Sequence, residues 1–207
     1  MSVSVVTHPV VQERLTDLRN QQTERALFRA ALHEVARFVV YESVRDLSVS
    51  SVTVDSPMGP ALGVTINEPP VLVPVLRAGL GMLGAALELL PDAPVGFIGL
   101  RRNEDTLLPE SYLDTVPDDL DGRSVLVLDP MLATGGSLLR TCQLLADANA
   151  GTLRAACVLA APEGLDALAQ SDLDIIVHTA SIDDGLNDQA FILPGLGDAG
   201  DRQFDIA

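Results

Sequence analysis

The sequence contains no lysine; all 13 of its basic residues are arginine, set against 29 aspartates and glutamates. Without lysine there is no Walker-type phosphate loop, whose Lys reaches the β- and γ-phosphates, and no route through a lysine Schiff base. A net charge of −16 excludes the broad basic surface needed for non-specific nucleic-acid or anionic-membrane binding. It also means that a polyanionic substrate needs a local cluster of arginines to overcome the general field. Cysteine is scarce: Cys142 and Cys157 each lie inside an apolar periodic segment, without CxxC or metal-ligand spacing, and read as buried, inert thiols. The longest uncharged apolar run, residues 78–87, is far short of a membrane span. There is no low-complexity segment or long polar tail. The first nine residues carry no basic start ahead of an apolar stretch, so no signal peptide is expected and a cytoplasmic location is.

What is present is a chain of 207 residues, 47% hydrophobic, enough for one domain with a substantial core. Residues 9–20 and 23–46 read as helices; in the second, Leu27, Ala30, Ala31, Val35, Phe38 and Val39 mark one face, opposite a charged one. His8 and His33 are expected to be a loop and a surface or packing residue. Residues 49–55 and 61–66 suggest a short β-hairpin turning at 57–60. From residue 71 strands and helices alternate. Strands are expected at 71–76, 95–100, 124–129, 155–159 and 174–178, with helices at 80–90, 136–149 and 163–170. That alternation predicts an α/β fold with a largely parallel, doubly wound sheet. Ligands bind such sheets beyond the carboxyl ends of the strands.

Those ends carry the chemistry. Val125 to Leu128 form an apolar run followed by Asp129, Pro130, Met131 and Leu132, then by the small-residue stretch Ala133, Thr134, Gly135, Gly136 and Ser137, and then by a helical pattern. Loop amides opening onto a helix N-terminus make a phosphate site. Asp129 would repel that phosphate, so a carboxylate beside the cradle points to a sugar phosphate, with hydroxyls for the carboxylate. Arg77 follows the strand at 71–76, and Arg101 and Arg102 follow the one at 95–100, which suits a second anionic group. His178 to Ser181 follow the last strand, and Thr179 and Ser181 read as turn or capping residues.

Two further regions are unusual. Residues 103–123 form a long polar connection, either a lid or a β-arm for subunit contact, with Tyr112 and Leu113 supplying short strand pairing. Residues 185–202 hold four glycines and Pro194 between apolar flanks. This composition disfavours a helix or long strand and exposes backbone N–H and C=O groups that can read a flat hydrogen-bonding edge. Gly79, Gly81 and Gly84 also spell a dinucleotide-type GxGxxG after a strand, with Arg101 and Arg102 placed for a 2′-phosphate. An NADP-dependent oxidoreductase is therefore a minor alternative, although a Rossmann half needs neither Arg77 ahead of its first glycine nor a second anion loop.

Taken in order, residues 73–82, Arg102 to Leu107, Asp129 to Ser137, Ala161 to Gly164, Thr179 to Asp183 and Pro194 to Asp201 resemble the motifs of uracil phosphoribosyltransferases, within the type I phosphoribosyltransferases, across nearly the whole chain. Pro130 replaces the second acid of the broader signature, which narrows the assignment and removes a general base there. Phe191 stands where a Tyr is expected. The resemblance implies a single domain over 1–207, with a core of about 68–180 and a hood from 1–66 and 181–207. It implies the reaction of uracil with phosphoribosyl pyrophosphate (PRPP) to give UMP and pyrophosphate, with Mg²⁺ held mainly through PRPP and no firm protein metal ligand. By that reading Arg77, Arg102, Asp129 and Asp198 are the catalytic set. PRPP lies against Arg77, Arg102, residues 129–137 and Asp198, and uracil against Ile192, Gly197, Asp198 and Ala199. A GTP effector and a homodimer or higher oligomer are implied too. A PRPP-sensing regulator and a transferase for hypoxanthine or orotate are the competing readings.

Overall fold

The computed structural model describes residues 1–102 and 109–205, with the side chains of Arg102 and Pro109 also outside the described set. The arm motif Asn103 to Leu107 therefore lies outside the described residues. Among the described residues an eight-stranded sheet runs in the order β1 (Ser2–Val5), β10 (Ile175–Ile182), β9 (Leu153–Ala160), β7 (Val125–Leu128), β4 (Val71–Leu76), β5 (Ile98–Arg102) and β6 (Pro109–Asp114), with β8 (Met131–Leu132) added alongside β9. Every pairing in it is parallel except β5 with β6. The expected doubly wound α/β architecture is what the chain adopts.

The central strands are apolar runs because both faces are covered. Leu72, Leu126, Leu128, Ala156 and Val158 pack under α1 (Pro9–Arg19), α2 (Arg25–Ser43) and α3 (Leu80–Leu89). The alternate residues Val73, Val75, Val125, Val127, Ala155 and Cys157 pack under α4 (Gly136–Asp147) and α5 (Pro162–Ala169). Each fully buried Leu or Val here stabilises the fold by about 1.5–3 kcal/mol. The alternation breaks at one place: the N–H groups of Val158 and Leu159 both donate to the Pro130 carbonyl, at 3.0 Å each. Beyond this bulge Leu159 joins the first core and Ala160 the second. At this bulge β8, just after the Asp129–Pro130 turn, pairs with β9.

Four expectations need correction. First, β5 begins at Ile98 and includes Arg101 and Arg102, because antiparallel β6 prolongs it; Val95 makes only an isolated bridge to Leu72. Second, Thr179 and Ser181 lie inside β10, paired with Cys157 and Leu159 of β9, and are neither turn nor helix-cap residues. Third, residues 1–66 are more than a hood: β1 is an edge strand of the main sheet, and α2 packs on β9 and β10. Fourth, the tail does form a helix, α6 (Ala199–Phe204), after the short antiparallel pair β11 (Gly185–Leu186) and β12 (Ile192–Leu193). Asp198 makes that helix possible, its carboxylate capping the Asp201 N–H at 2.8 Å. His8 is likewise the cap of α1, its Nδ1 accepting from Val10 N–H at 3.2 Å.

The hairpin β2 (Val49–Ser56) and β3 (Gly59–Ile66) forms as expected and, among the described residues, pairs only with itself. Cys142 and Cys157 are buried, and burial raises both thiol pKa values, that of Cys142 to about 12. No helix of the described residues is long and apolar enough to cross a membrane.

Candidate active site

The carboxyl ends of β4 and β7 meet in a cavity of about 200 Å³ lined by Arg77, Ala78, Asp129, Met131, Leu132 and residues 133–138. The sequence thus brings to one place the first arginine, the acid and the small-residue loop. The loop is held from behind by α5. Gly135 has φ of 83°, and a Cβ there would lie 3.0 Å from the Gly164 carbonyl and 3.1 Å from the Ala167 methyl. A Cβ on Gly164 would in turn lie 3.0 Å from the Leu132 carbonyl. Both positions demand glycine, and the Ala161–Gly164 segment is explained as the backing of the cradle. With Gly135 as N-cap, the first-turn N–H groups of α4 have no intrahelical acceptor; Gly136 N–H donates weakly to Thr134 Oγ1 at 3.4 Å, and the turn as a whole can face an anion.

Asp129 sits at the floor, only 9% exposed. Burial pushes its carboxyl up to about 7, opposed only in part by the Met131 N–H, which donates from 3.4 Å. An acid so desolvated ionises readily only when a ligand brings donors to it. Arg77 follows a cis peptide after Leu76 and extends from the rim with 64% of its side chain exposed. Its Nη2 donates to Asp201 Oδ1 of α6 at 3.3 Å. Arg101 pairs with Glu110 at 3.5 Å on the surface of β5–β6. Arg102 closes β5 in the chain trace; its side chain lies outside the described residues.

Two of the three glycines of the GxGxxG have packing reasons, while a Cβ on Gly84 would make only an ordinary contact with the His33 ring at 3.5 Å. A Cβ on Gly79 would run into the Leu128 carbonyl and lie 2.7 Å from Val75 N, and one on Gly81 would meet Leu32 and the Gln203 side chain. They let α3 lie against β4, β7, α2 and α6, which leaves the dinucleotide reading without support.

A second cavity, of about 290 Å³, adjoins the first and shares Ala78 and Met131 with it; its other walls are residues 189–192 and 197–200. Ile192, Gly197, Asp198 and Ala199 therefore do come together, one cavity away from the cradle. Gly197 has φ of 79°, and Ala199 is the first residue of α6.

Sequence reasoning missed what holds this tail. Arg19 at the end of α1 donates from both terminal nitrogens to Asp183, 2.6 Å each, and to the Gly195 carbonyl at 2.9 Å. Asp183 also accepts from Ser181 Oγ and Gly195 N–H, each at 2.9 Å. Burial raises the Asp183 carboxyl, but Arg19, Ser181 and the Gly195 amide together hold it below the usual carboxylate range. Gln203 is fully buried and donates to the carbonyls of Ala78 and Ala199, tying α6 to the Arg77 loop.

A largely parallel α/β sheet with a buried acid and a small-residue loop after β7, an arginine after β4 and a separate terminal cleft beside them is the architecture of the type I phosphoribosyltransferases. The purine phosphoribosyltransferase of Pyrococcus horikoshii shares the fold with a TM-score of 0.51 at 17% identity, over 88% of this chain and 91% of that one. More narrowly, the chain belongs to the uracil phosphoribosyltransferase family, whose family model matches residues 5–205. The uracil phosphoribosyltransferase of Corynebacterium diphtheriae is 50% identical over 204 residues, 99% of this chain and 97% of that protein. The AQ2163 protein of Aquifex aeolicus superposes with a TM-score of 0.90 at 35% identity, over 99% of both chains. The chain is a glycosyltransferase of the pentosyl-transferring kind.

Proposed function

We propose that this enzyme transfers the phosphoribosyl group of PRPP to uracil, releasing pyrophosphate and forming UMP for pyrimidine salvage. The observation that carries this reading is the adjoining pair of cavities with Ala78 and Met131 as their common wall. One offers an anion cradle, a carboxylate and an arginine; the other offers backbone amides of a glycine-rich turn.

In this reading the N–H groups of Ala133 to Ser137, with the Thr134 and Ser137 hydroxyls, hold the 5′-phosphate. Asp129 accepts from the ribose hydroxyls. Arg77 leaves Asp201 to hold the pyrophosphate, with Arg102 as its partner. Backbone groups of Ile192, Gly197 and Ala199 read the uracil edge and fix N1 toward the ribose C1. As the C1–oxygen bond to pyrophosphate breaks, positive charge grows on the ribose and negative charge on the leaving group. Fixed alignment and arginines on the leaving group lower that barrier. No strong nucleophile is required.

Asp129 and Asp198 bring oxygen donors to the two cavities, a set that suits Mg²⁺ held chiefly by PRPP oxygens and water. Once bound, the ion would neutralise charge on the pyrophosphate. A homodimer or higher oligomer is supported by the β2–β3 hairpin, which exposes Met58, Leu62 and Val64 by 97, 85 and 69%. Such a two-stranded hairpin is marginal without a partner surface. Light scattering tests that assembly.

The deciding assay is turnover of labelled uracil with PRPP and Mg²⁺, with hypoxanthine and orotate as competitors, and with and without GTP for the effector that the family resemblance implies. UMP formation insensitive to the other bases supports the reading. Binding of PRPP without turnover would make the protein a sensor instead. A cytoplasmic site of action completes the proposal.

A further inference from the structure

Arg202 is one of 13 arginines in a chain of net charge −16. Among the described residues its guanidinium pairs with no carboxylate; its acceptors are backbone carbonyls, Leu18 and Asn20 at the end of α1 and Leu196 in the tail. The distances to Asn20 and Leu196 are 2.8 and 2.9 Å, and the group lies 4.2 Å above the Phe28 ring. Its own N–H donates to the Asp198 carbonyl at 3.0 Å.

Both tail carbonyls belong to peptides that end at the base-facing amides: Leu196–Gly197 and Asp198–Ala199. Both peptides are trans, since cis bonds occur only after Leu76 and Leu193 among the described residues. In a planar trans peptide C=O and N–H point in opposite directions. Holding Leu196 O toward the guanidinium therefore turns the Gly197 N–H away from it, toward the cavity that Gly197 lines; the Asp198 carbonyl is held instead by the Arg202 main-chain N–H, an ordinary bond of α6 that sets the Ala199 N–H whatever the side chain at 202. Neither N–H has an acceptor among the described residues. Beside it Arg19 fixes the preceding carbonyl, Gly195 O, at 2.9 Å.

We propose that Arg202 is the positioning residue for base recognition, its guanidinium aiming the Gly197 amide at a carbonyl oxygen of the pyrimidine from an anchor on α1, beside the Ala199 amide that α6 itself sets. The proposal rests on the uracil reading above and adds the residue that sets its geometry. Arg202 touches neither substrate, and its effect falls on the base alone.

The test is steady-state kinetics with Mg²⁺, varying uracil at saturating PRPP and PRPP at saturating uracil. The wild-type enzyme is measured first; if it does not turn over uracil, the functional reading itself fails and the proposal with it. Arg202→Met keeps the aliphatic stem over Phe28 and removes the donors. It should raise KM for uracil about tenfold, the cost of losing a well-aimed hydrogen bond to the base. The KM for PRPP should stay within about twofold, since the cradle is untouched. Preference for uracil over 4-thiouracil, whose sulfur is a poorer acceptor, should shrink with it. Arg202→Lys, which can still serve one carbonyl at a time, should recover part of both effects. A merely structural role would lower kcat with both KM values and the thiouracil preference unchanged, and that result overturns the proposal. A parallel rise in both KM values overturns it equally. Should neither Arg202 variant fold, Phe28→Leu loosens the guanidinium while leaving its donors; there a selective rise in KM for uracil supports the proposal and an unchanged ratio of the two KM values refutes it.

Discussion

Replacing Asp129 by Asn should inactivate the enzyme while making the free protein more stable at neutral and alkaline pH. The carboxyl ionises near 3.8 in an exposed chain and at about 7 in the folded one, because burial outweighs the single Met131 N–H donated to it. Between those pH values the folded state keeps a proton that the unfolded state has released. The protonated carboxyl thus favours folding fully below about pH 4, and that advantage is lost as pH rises to about 7. A pKa difference of about 3 corresponds to about 4 kcal/mol over the whole window, at about 1.4 kcal/mol for each pKa unit. About 2–3 kcal/mol of it falls between pH 5 and pH 8. Asn fills nearly the same volume and does not titrate. The stability of Asp129→Asn relative to wild type should therefore grow by that amount from pH 5 to pH 8, a gain in Tm of about 5–10 °C for a domain of this size. Urea unfolding at several pH values measures it directly, and the other carboxylates cancel in the difference. Binding supplies the counterpart. If ribose hydroxyls donate to Asp129, PRPP binding at pH 6 should release close to one proton more from wild type than from the Asn variant. Calorimetry in buffers of different ionisation enthalpy counts that proton. Parallel stability curves for the two proteins across pH would refute the buried-acid argument.

Other perturbations separate the parts of the site. Arg77→Ala should raise KM for PRPP and slow turnover; near-wild-type rates at limiting PRPP would remove its assigned role. Asp201→Asn frees Arg77 from an exposed pair worth at most about 1 kcal/mol, so it should tighten PRPP binding by no more than about fivefold; weaker binding would show that Asp201 orients the arginine instead. Gly135→Val imposes a branched side chain on φ of 83° and on the Gly164 carbonyl, and should abolish PRPP binding in calorimetry. Ala199→Pro removes an amide at the first position of α6, where proline is tolerated, so uracil affinity should fall while the fold persists in circular dichroism.

The central sheet was readable because β4, β7 and β9 are apolar on both faces, a pattern set by burial alone. β1 was not: Ser2 to Val5 alternate weakly and are exposed, and only pairing with β10 makes them a strand. The length of β10 was hidden for a related reason, since Thr179 and Ser181 look like turn residues until Asp183 and Arg19 are seen to satisfy the hydroxyl at 181. Helix α6 was obscured by Gly200 and by the glycines before it; the Asp198 cap overrides that local preference. At the site, Asp129, the 133–137 loop and Arg77 could be read from their types at strand ends. Arg19 could not, because in sequence it is one more charged residue on the outer face of a helix. Its partner is 164 residues away, and long-range pairs leave no periodic signal. Asp183 lay within a recognisable motif and Arg202 just beyond one, yet nothing in their spacing says that Asp183 pairs with Arg19 and the Gly195 amide or that Arg202 serves backbone carbonyls of α1 and the tail.

The division of labour between the two cavities follows from where each is anchored. The cradle is built from strand ends and backed by α5, whose glycine contacts leave no slack. The base-facing turn is instead suspended between α1 and α6 by Arg19 and Arg202, and reaches the cradle through Gln203 and the Arg77–Asp201 pair. Reaction at C1 requires the base and the sugar to be set relative to each other, not merely bound. The buried Gln203 link to the Ala78 carbonyl supplies a fixed reference between the two halves, while the exposed Arg77–Asp201 contact would break at a cost of at most about 1 kcal/mol if a pyrophosphate claims the arginine, as proposed above. On the proposed reading, PRPP binding would remove one link and leave the other, freeing Arg77 for the leaving group while the tail amides keep their distance from the ribose.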